Sequence, residues 1–108
     1  MPLQPGQMIN PHWHPNATET ATAELGQCTV FVLNTAFVEP GAEDEELVFT
    51  PHRLFPGGTP LEIAPGIVHF IRNESGAIAE FVSEFDLPRH DVKVVFLSQA
   101  QDAFDKEN

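Results

Sequence analysis

The sequence predicts an all-β fold, a small antiparallel sandwich or barrel, on three observations. Ten prolines and seven glycines are spread through 108 residues, and they cut the chain into pieces too short for a helical bundle. Between them lie runs rich in β-branched and aromatic residues, CTVFVL, LVFT, IVHFI, AIAEFV and VKVVFL, the composition of half-buried strands. Only the tail, SQAQDAFDKEN, reads as a short C-terminal helix, with Ser98 as its N-cap. This length predicts a single domain, residues 1–108, around one core.

Each element has its own warrant. The opening, MPLQPGQM, lacks the basic and apolar regions of a secretory signal; the expectation is an intracellular chain, or one without its natural front end. INPHWH is expected to be extended, because Pro11 and Pro15 push the residue before each toward β geometry. Alternation then puts His12 and His14 on one face and Trp13 on the other. Pro15 and Asn16 supply a reversal. TETATAEL follows as a returning strand that carries Glu19 back toward the first. CTVFVL buries Cys28 as a small core residue; a lone cysteine makes no intrachain disulfide and no thiolate zinc site. EPGAEDEE, Glu39 to Glu46, reads as a solvated loop and lacks the spaced Asp/Asn and glycine pattern of a calcium loop. In IVHFIRN, His69 shares a face with Ile67, Ile71 and Asn73, while Val68, Phe70 and Arg72 take the other.

Composition excludes some functions. Apolar residues make up 42% of the chain, as in a globular protein, and the formal net charge is -11. Such a chain repels nucleic acid and anionic membrane surfaces, so neither is an expected partner. No apolar run approaches the length of a membrane span.

The chemistry concentrates in His12, His14, Glu19 and His69. Three imidazoles and one carboxylate make a mixed nitrogen and oxygen donor set without the thiolates that favour structural zinc or cuprous copper. Imidazole suits zinc, copper, iron and nickel, and the carboxylate adds affinity for manganese. Four side chains around a six-coordinate ion leave two positions for water, dioxygen or a small chelating anion. A divalent ion with one carboxylate leaves roughly one net positive charge, which favours an anion at the centre. Taken singly, each histidine also reads as an ordinary core or surface residue.

The pattern resembles the cupin superfamily. HWHPNATETATAELG is similar to the first cupin motif at His12, His14, Glu19 and Gly26, and GTPLEIAPGIVHFIRN to the second at Gly58, Gly66, His69 and Asn73. Ala64 stands where that motif usually has proline, and Pro65 follows one place later. PHWHPNATE and PGIVHFIRN are most similar to the germin and spherulin group. The resemblance implies a jelly-roll β-barrel holding a metal, commonly manganese, through three histidines and a glutamate. It also implies an extracellular setting and a homo-oligomer. The family's additional leading strands, cysteine pair and longer helical tail have no counterpart here, so the chain resembles the core of such a barrel without its edge strands.

The function expected is a metal-binding germin-like cupin, a manganese oxidoreductase acting on superoxide or oxalate; the alternative is a non-catalytic metal-binding or storage cupin. Germin oxalate oxidases carry an asparagine three residues before the first metal histidine, where this chain has Ile9. Asn73, on the His69 face, is the expected substitute. Ile67, Ile71 and Phe31 are expected as the apolar wall of the site. Asn16-Ala17-Thr18 and Asn73-Glu74-Ser75 match the glycosylation sequon, but both lie inside the two motifs and read as coincidence.

Overall fold

A computed structural model describes residues 1–33, 48–87 and 92–94. Among them are nine strands: β1 (Pro2–Leu3), β2 (Met8–Trp13), β3 (Glu19–Leu25), β4 (Cys28–Leu33), β5 (Phe49–Leu54), β6 (Leu61–Ile63), β7 (His69–Arg72), β8 (Ala79–Phe85) and β9 (Lys93–Val94). The expected loop at 39–46 and the expected helix at 98–108 lie outside the described residues. Among the described residues, no helix is long and apolar enough to cross a membrane.

All pairings are antiparallel and form two sheets, one ordered β1-β8-β3-β6 and the other β5-β4-β7-β2-β9. Leu3, Ala21, Ala23, Ile63, Ala79 and Phe81 of the first sheet meet Cys28, Val30, Leu54 and Ile71 of the second in one buried cluster. The all-β jelly-roll expectation therefore stands. The alternation within strands is as the sequence implies. Ile67 and Ile71 pack with the interior cluster, while Trp13, Val68 and Phe70 join a second cluster on the other side of the five-stranded sheet.

Two expectations are corrected here. The strand after the Pro15-Asn16 turn does not return beside β2. β3 belongs to the other sheet, between β6 and β8. Thr18 anchors that crossing: its N–H donates to Asp86 Oδ1 at 3.0 Å, and its carbonyl accepts from Asp86 N–H at 3.2 Å. Phe31 is not near the metal-type residues. It lies in the second cluster, stacked on Phe70 with centroids 4.6 Å apart and planes 10° from parallel.

Two glycines hold the motif turns. Gly26 joins β3 to β4 at φ +65°, and a Cβ there would stand 2.4 Å from the Ile78 carbonyl oxygen. Ala64, Pro65, Gly66 and Ile67 form a turn closed by Ile67 N–H to Ala64 O at 3.3 Å, with Gly66 at φ +83°. Proline second and positive-φ glycine third is the type II pattern, so the shifted proline is accommodated. Gly66 N–H donates to the His14 carbonyl at 2.9 Å, tying this turn to the first motif.

Candidate metal centre

Each of the four residues reaches the interior by a different device. Pro11 has no N–H to give the sheet ladder, and β2 departs from regular register there: Ile9 pairs with Ile71, but His12 pairs with His69. Asn10 and Pro11 on β2 stand opposite Phe70 alone on β7, which is a β-bulge. Its effect is a change of phase. Ile9 and His12, odd and even, both face inward; His14 follows by ordinary alternation. His69 enters from the middle of β7, and Glu19 from the first residue of β3 in the opposite sheet. The cluster therefore bridges both sheets.

One ligand atom from each of His12, His14, Glu19 and His69 lies within 4.8 Å of all the others. Donors about 2.0–2.2 Å from a single ion lie up to about 4.4 Å apart, close to this spread. His14, Glu19 and His69 are buried and His12 is half-buried. The rings of His12 and His69 have centroids 4.3 Å apart, and those of His12 and His14 are 5.0 Å apart.

Hydrogen bonds fix the ring orientations. His12 Nδ1 lies 2.7 Å from the Asn10 carbonyl, and His69 Nδ1 lies 3.0 Å from that of Ile67. A carbonyl only accepts, so Nδ1 carries the proton in both, and Nε2 is the donor nitrogen for an ion. Yet His69 Nε2 is 2.9 Å from Glu19 Oε1, and His14 Nε2 is 3.2 Å from the same oxygen. A neutral imidazole has one N–H and cannot serve two acceptors at once. A cation among the donors satisfies this arrangement, because it takes the inward-facing Nε2 lone pairs and the Glu19 charge together. The residues present thus fit a divalent ion.

The electrostatics agree. Burial lowers the His12 pKa below the ordinary histidine value, and the neighbouring His69 and His14 lower it further; the Asn10 carbonyl and Glu19 oppose this without reversing it. Burial pushes the Glu19 carboxyl up, but hydrogen bonds from His69 and Ser83, with the charge interactions of His69 and His14, carry it below the usual range. Neutral imidazole and ionised carboxylate are the metal-binding forms.

Ser83 was not foreseen. Its Oγ donates to Glu19 Oε2 at 2.7 Å, from the β8 position paired with Ala21. Nothing in the residues around Ser83 signals this, since it depends on the β3–β8 register. Phe85, two residues on, lays its ring edge-on to His14 at 4.7 Å. A cavity of about 380 Å³ opens beside the cluster; Ile9, Ile71, Phe81 and Phe85 line it together with His12, His14, Glu19 and Ser83. Ile71 is thus in the wall as expected, while Ile67 is not among the lining residues.

Asn73 does not take the expected place. It is fully buried, and its Nδ2 donates to the carbonyls of Leu3 and Ala77, both at 2.8 Å. Its Oδ1 accepts from Ser75 N–H at 2.9 Å and Ser75 Oγ at 2.7 Å. An amide so committed fastens β1 and the turn before β8. It has nothing left for a substrate or a glycan.

Comparison with known proteins adds the family. The cupin profile matches residues 1–107. Among solved structures, an oxalate oxidase in complex with the substrate analogue glycolate superposes with a TM-score of 0.69 at 26% identity, over 87% of this chain and 43% of that one. A Lactobacillus farciminis oxalate decarboxylase–formate complex gives 0.67 at 24%, over 87% and 25%. Peruvianin-I, a cysteine peptidase from Thevetia peruviana latex, gives 0.67 at 23%, over 87% and 52%. The last two bear on the fold alone. The chain spans less than half the length of the oxalate oxidase it matches. Curated proteins offer no match to the sequence. Motifs, two-sheet barrel and profile together make this chain a member of the cupin family, with oxalate oxidases and oxalate decarboxylases among its structural neighbours.

Proposed function

We propose that this chain is a germin-like metal-binding cupin that holds one divalent ion, preferably manganese, through His12, His14, Glu19 and His69. The observation that carries this reading is the convergence of the four donors within 4.8 Å, with Nδ1 of His12 and His69 held by backbone carbonyls so that Nε2 of each is left for an ion. The donor set admits iron, zinc, copper or nickel as well. The test is metal content of protein purified without added ions. His14→Ala should lose the ion, and His52→Ala, outside both motifs, should keep it. Equal occupancy in the two variants would refute the site.

We further propose redox chemistry on a small oxyanion. A bound manganese ion would supply one-electron chemistry and a positive centre. The chain's own part is to hold the His12 imidazole neutral, keep Glu19 ionised and surround the centre with hydrocarbon, where charges attract more strongly. Superoxide ranks above oxalate. Among the described lining residues outside the four ligands, Ser83 is the polar side chain, and its hydroxyl is bound to Glu19. The same scarcity of acid–base groups favours the second reading, a non-catalytic metal-binding cupin. Dismutation and oxalate assays on manganese-loaded protein and its His69→Ala variant separate the readings; equal background rates in both proteins leave the non-catalytic one. A homo-oligomer is the assembly we propose, since among the described residues β5 ends its sheet and a sheet edge invites pairing. Sedimentation of a stable monomer at micromolar concentration would refute it.

A further inference from the structure

The cavity beside the cluster has room for more than oxalate or superoxide. Its volume of about 380 Å³ falls within the roughly 300–1,000 Å³ that holds organic ligands of drug size. Among the described residues its side-chain walls beyond the four ligands are hydrocarbon apart from Ser83. Ile9 is turned into it by the bulge at Asn10 and Pro11 and packs on the interior cluster. Ile71 stands across from Ile9 on β7. Phe81 and Phe85 enter from β8 on either side of Ser83. Their partners on β3 are Ala23 for Phe81 and Glu19 for Phe85, with Ala21 opposite Ser83.

We propose that this cavity takes a monoanionic oxygen chelator with a hydrocarbon body, such as a 2-oxo acid bearing an aliphatic side chain. The proposal rests on the metal-binding reading above and names the ligand class of that site. Charge supplies the first reason. A divalent ion with Glu19 leaves about one positive charge, which one carboxylate neutralises and a dianion overshoots. Hydrogen bonding supplies the second. The only lining hydroxyl among the described residues donates to Glu19 Oε2 at 2.7 Å, and the Met1 ammonium is held by Glu80 Oε1 and the Phe81 carbonyl, so among the described residues the isoleucines and phenylalanines of the wall offer the distal carboxylate of oxalate no donor. A hydrocarbon tail in the same place gains from leaving water, about fourfold in affinity for each methylene buried.

The experiment is calorimetric titration of the manganese-loaded protein with glyoxylate, pyruvate, 2-oxobutyrate, 2-oxopentanoate and oxalate, with metal content measured before and after. Affinity should climb about fourfold per added methylene from pyruvate onward, and 2-oxopentanoate should bind more tightly than oxalate. Ile9→Asn and Phe85→Ala should each flatten the climb, read within each protein as the ratio of 2-oxopentanoate to pyruvate affinity. A flat series on metal-replete protein, or oxalate as the tightest ligand, overturns this inference and leaves the metal-binding reading intact. An unchanged slope in both variants also overturns it. Protein that retains no divalent ion overturns both readings.

Discussion

Replacing Ser83 by alanine isolates a contact that acts on the centre through Glu19. The Ser83 hydroxyl donates to Glu19 Oε2 at 2.7 Å, while Oε1 faces His69 and His14. Removing it deletes one oxygen from a position paired with Ala21 and leaves the fold's packing nearly unchanged. A hydrogen bond to an ionised group contributes about 1.5–3 kcal/mol. Loss of a residue that orients a metal ligand costs about 10–100-fold in affinity, which is about 1.4–2.8 kcal/mol. The two ranges agree, so metal affinity of Ser83→Ala should fall 10–100-fold, with Ser83→Thr restoring most of it.

The pH dependence should move with it. The Ser83 bond helps hold the Glu19 carboxyl below its usual range, so its loss raises that value and lets protons compete with metal sooner as pH falls. Metal should leave the parent protein as protons compete for its ligands on acidification, with His12 protonating below the ordinary histidine value because it is buried, and leave Ser83→Ala at a higher pH. Competition with a chelator of known affinity, repeated across pH, reads both effects. Binding within twofold of the parent at every pH would refute the assignment of Ser83 as a positioning residue.

Asn73→Ala should destabilise the fold by several kcal/mol, because two carbonyls and two donors around a fully buried amide lose their partner at about 1–3 kcal/mol each; chemical denaturation measures this, and a loss under about 1 kcal/mol would contradict it. Cys28 should resist thiol reagents in the folded protein. Burial pushes its thiol up to about 11, so the reactive thiolate is scarce at pH 8 and becomes appreciable only as pH approaches that value. Labelling of the native protein as fast as of the denatured chain would show that Cys28 is not held in the core.

The sequence alone determined what one strand can encode. Alternation put His12 and His14 opposite Trp13, and His69 with Ile71 opposite Phe70, because side chains on a strand switch faces at every residue. Turn chemistry was equally local: Pro15-Asn16 after β2, and the glycine at 66 with its positive φ. The motif residues carry the resemblance to cupins without reference to strand pairing.

Tertiary structure decided what depends on pairing between distant strands. The sequence gives no register, so Ser83 opposite Ala21 and next to Glu19 could not be read from it. Nor could the sheet to which β3 belongs: a turn fixes a reversal, but hydrogen bonding with β6 and β8 fixes the neighbour. Alternation separates two faces without saying which one is the interior, and Phe31 fell on the outer side for that reason. Asn73 shares the inward parity of His69, yet carbonyls 70 residues earlier and four residues later had already claimed its amide. The bulge at Asn10 and Pro11 shifts the phase of β2 by one residue, and only its register against β7 reveals that Ile9 faces the centre. Parity is a property of one strand, whereas facing, register and neighbours are properties of the pair, and the walls of this cavity come from pairs.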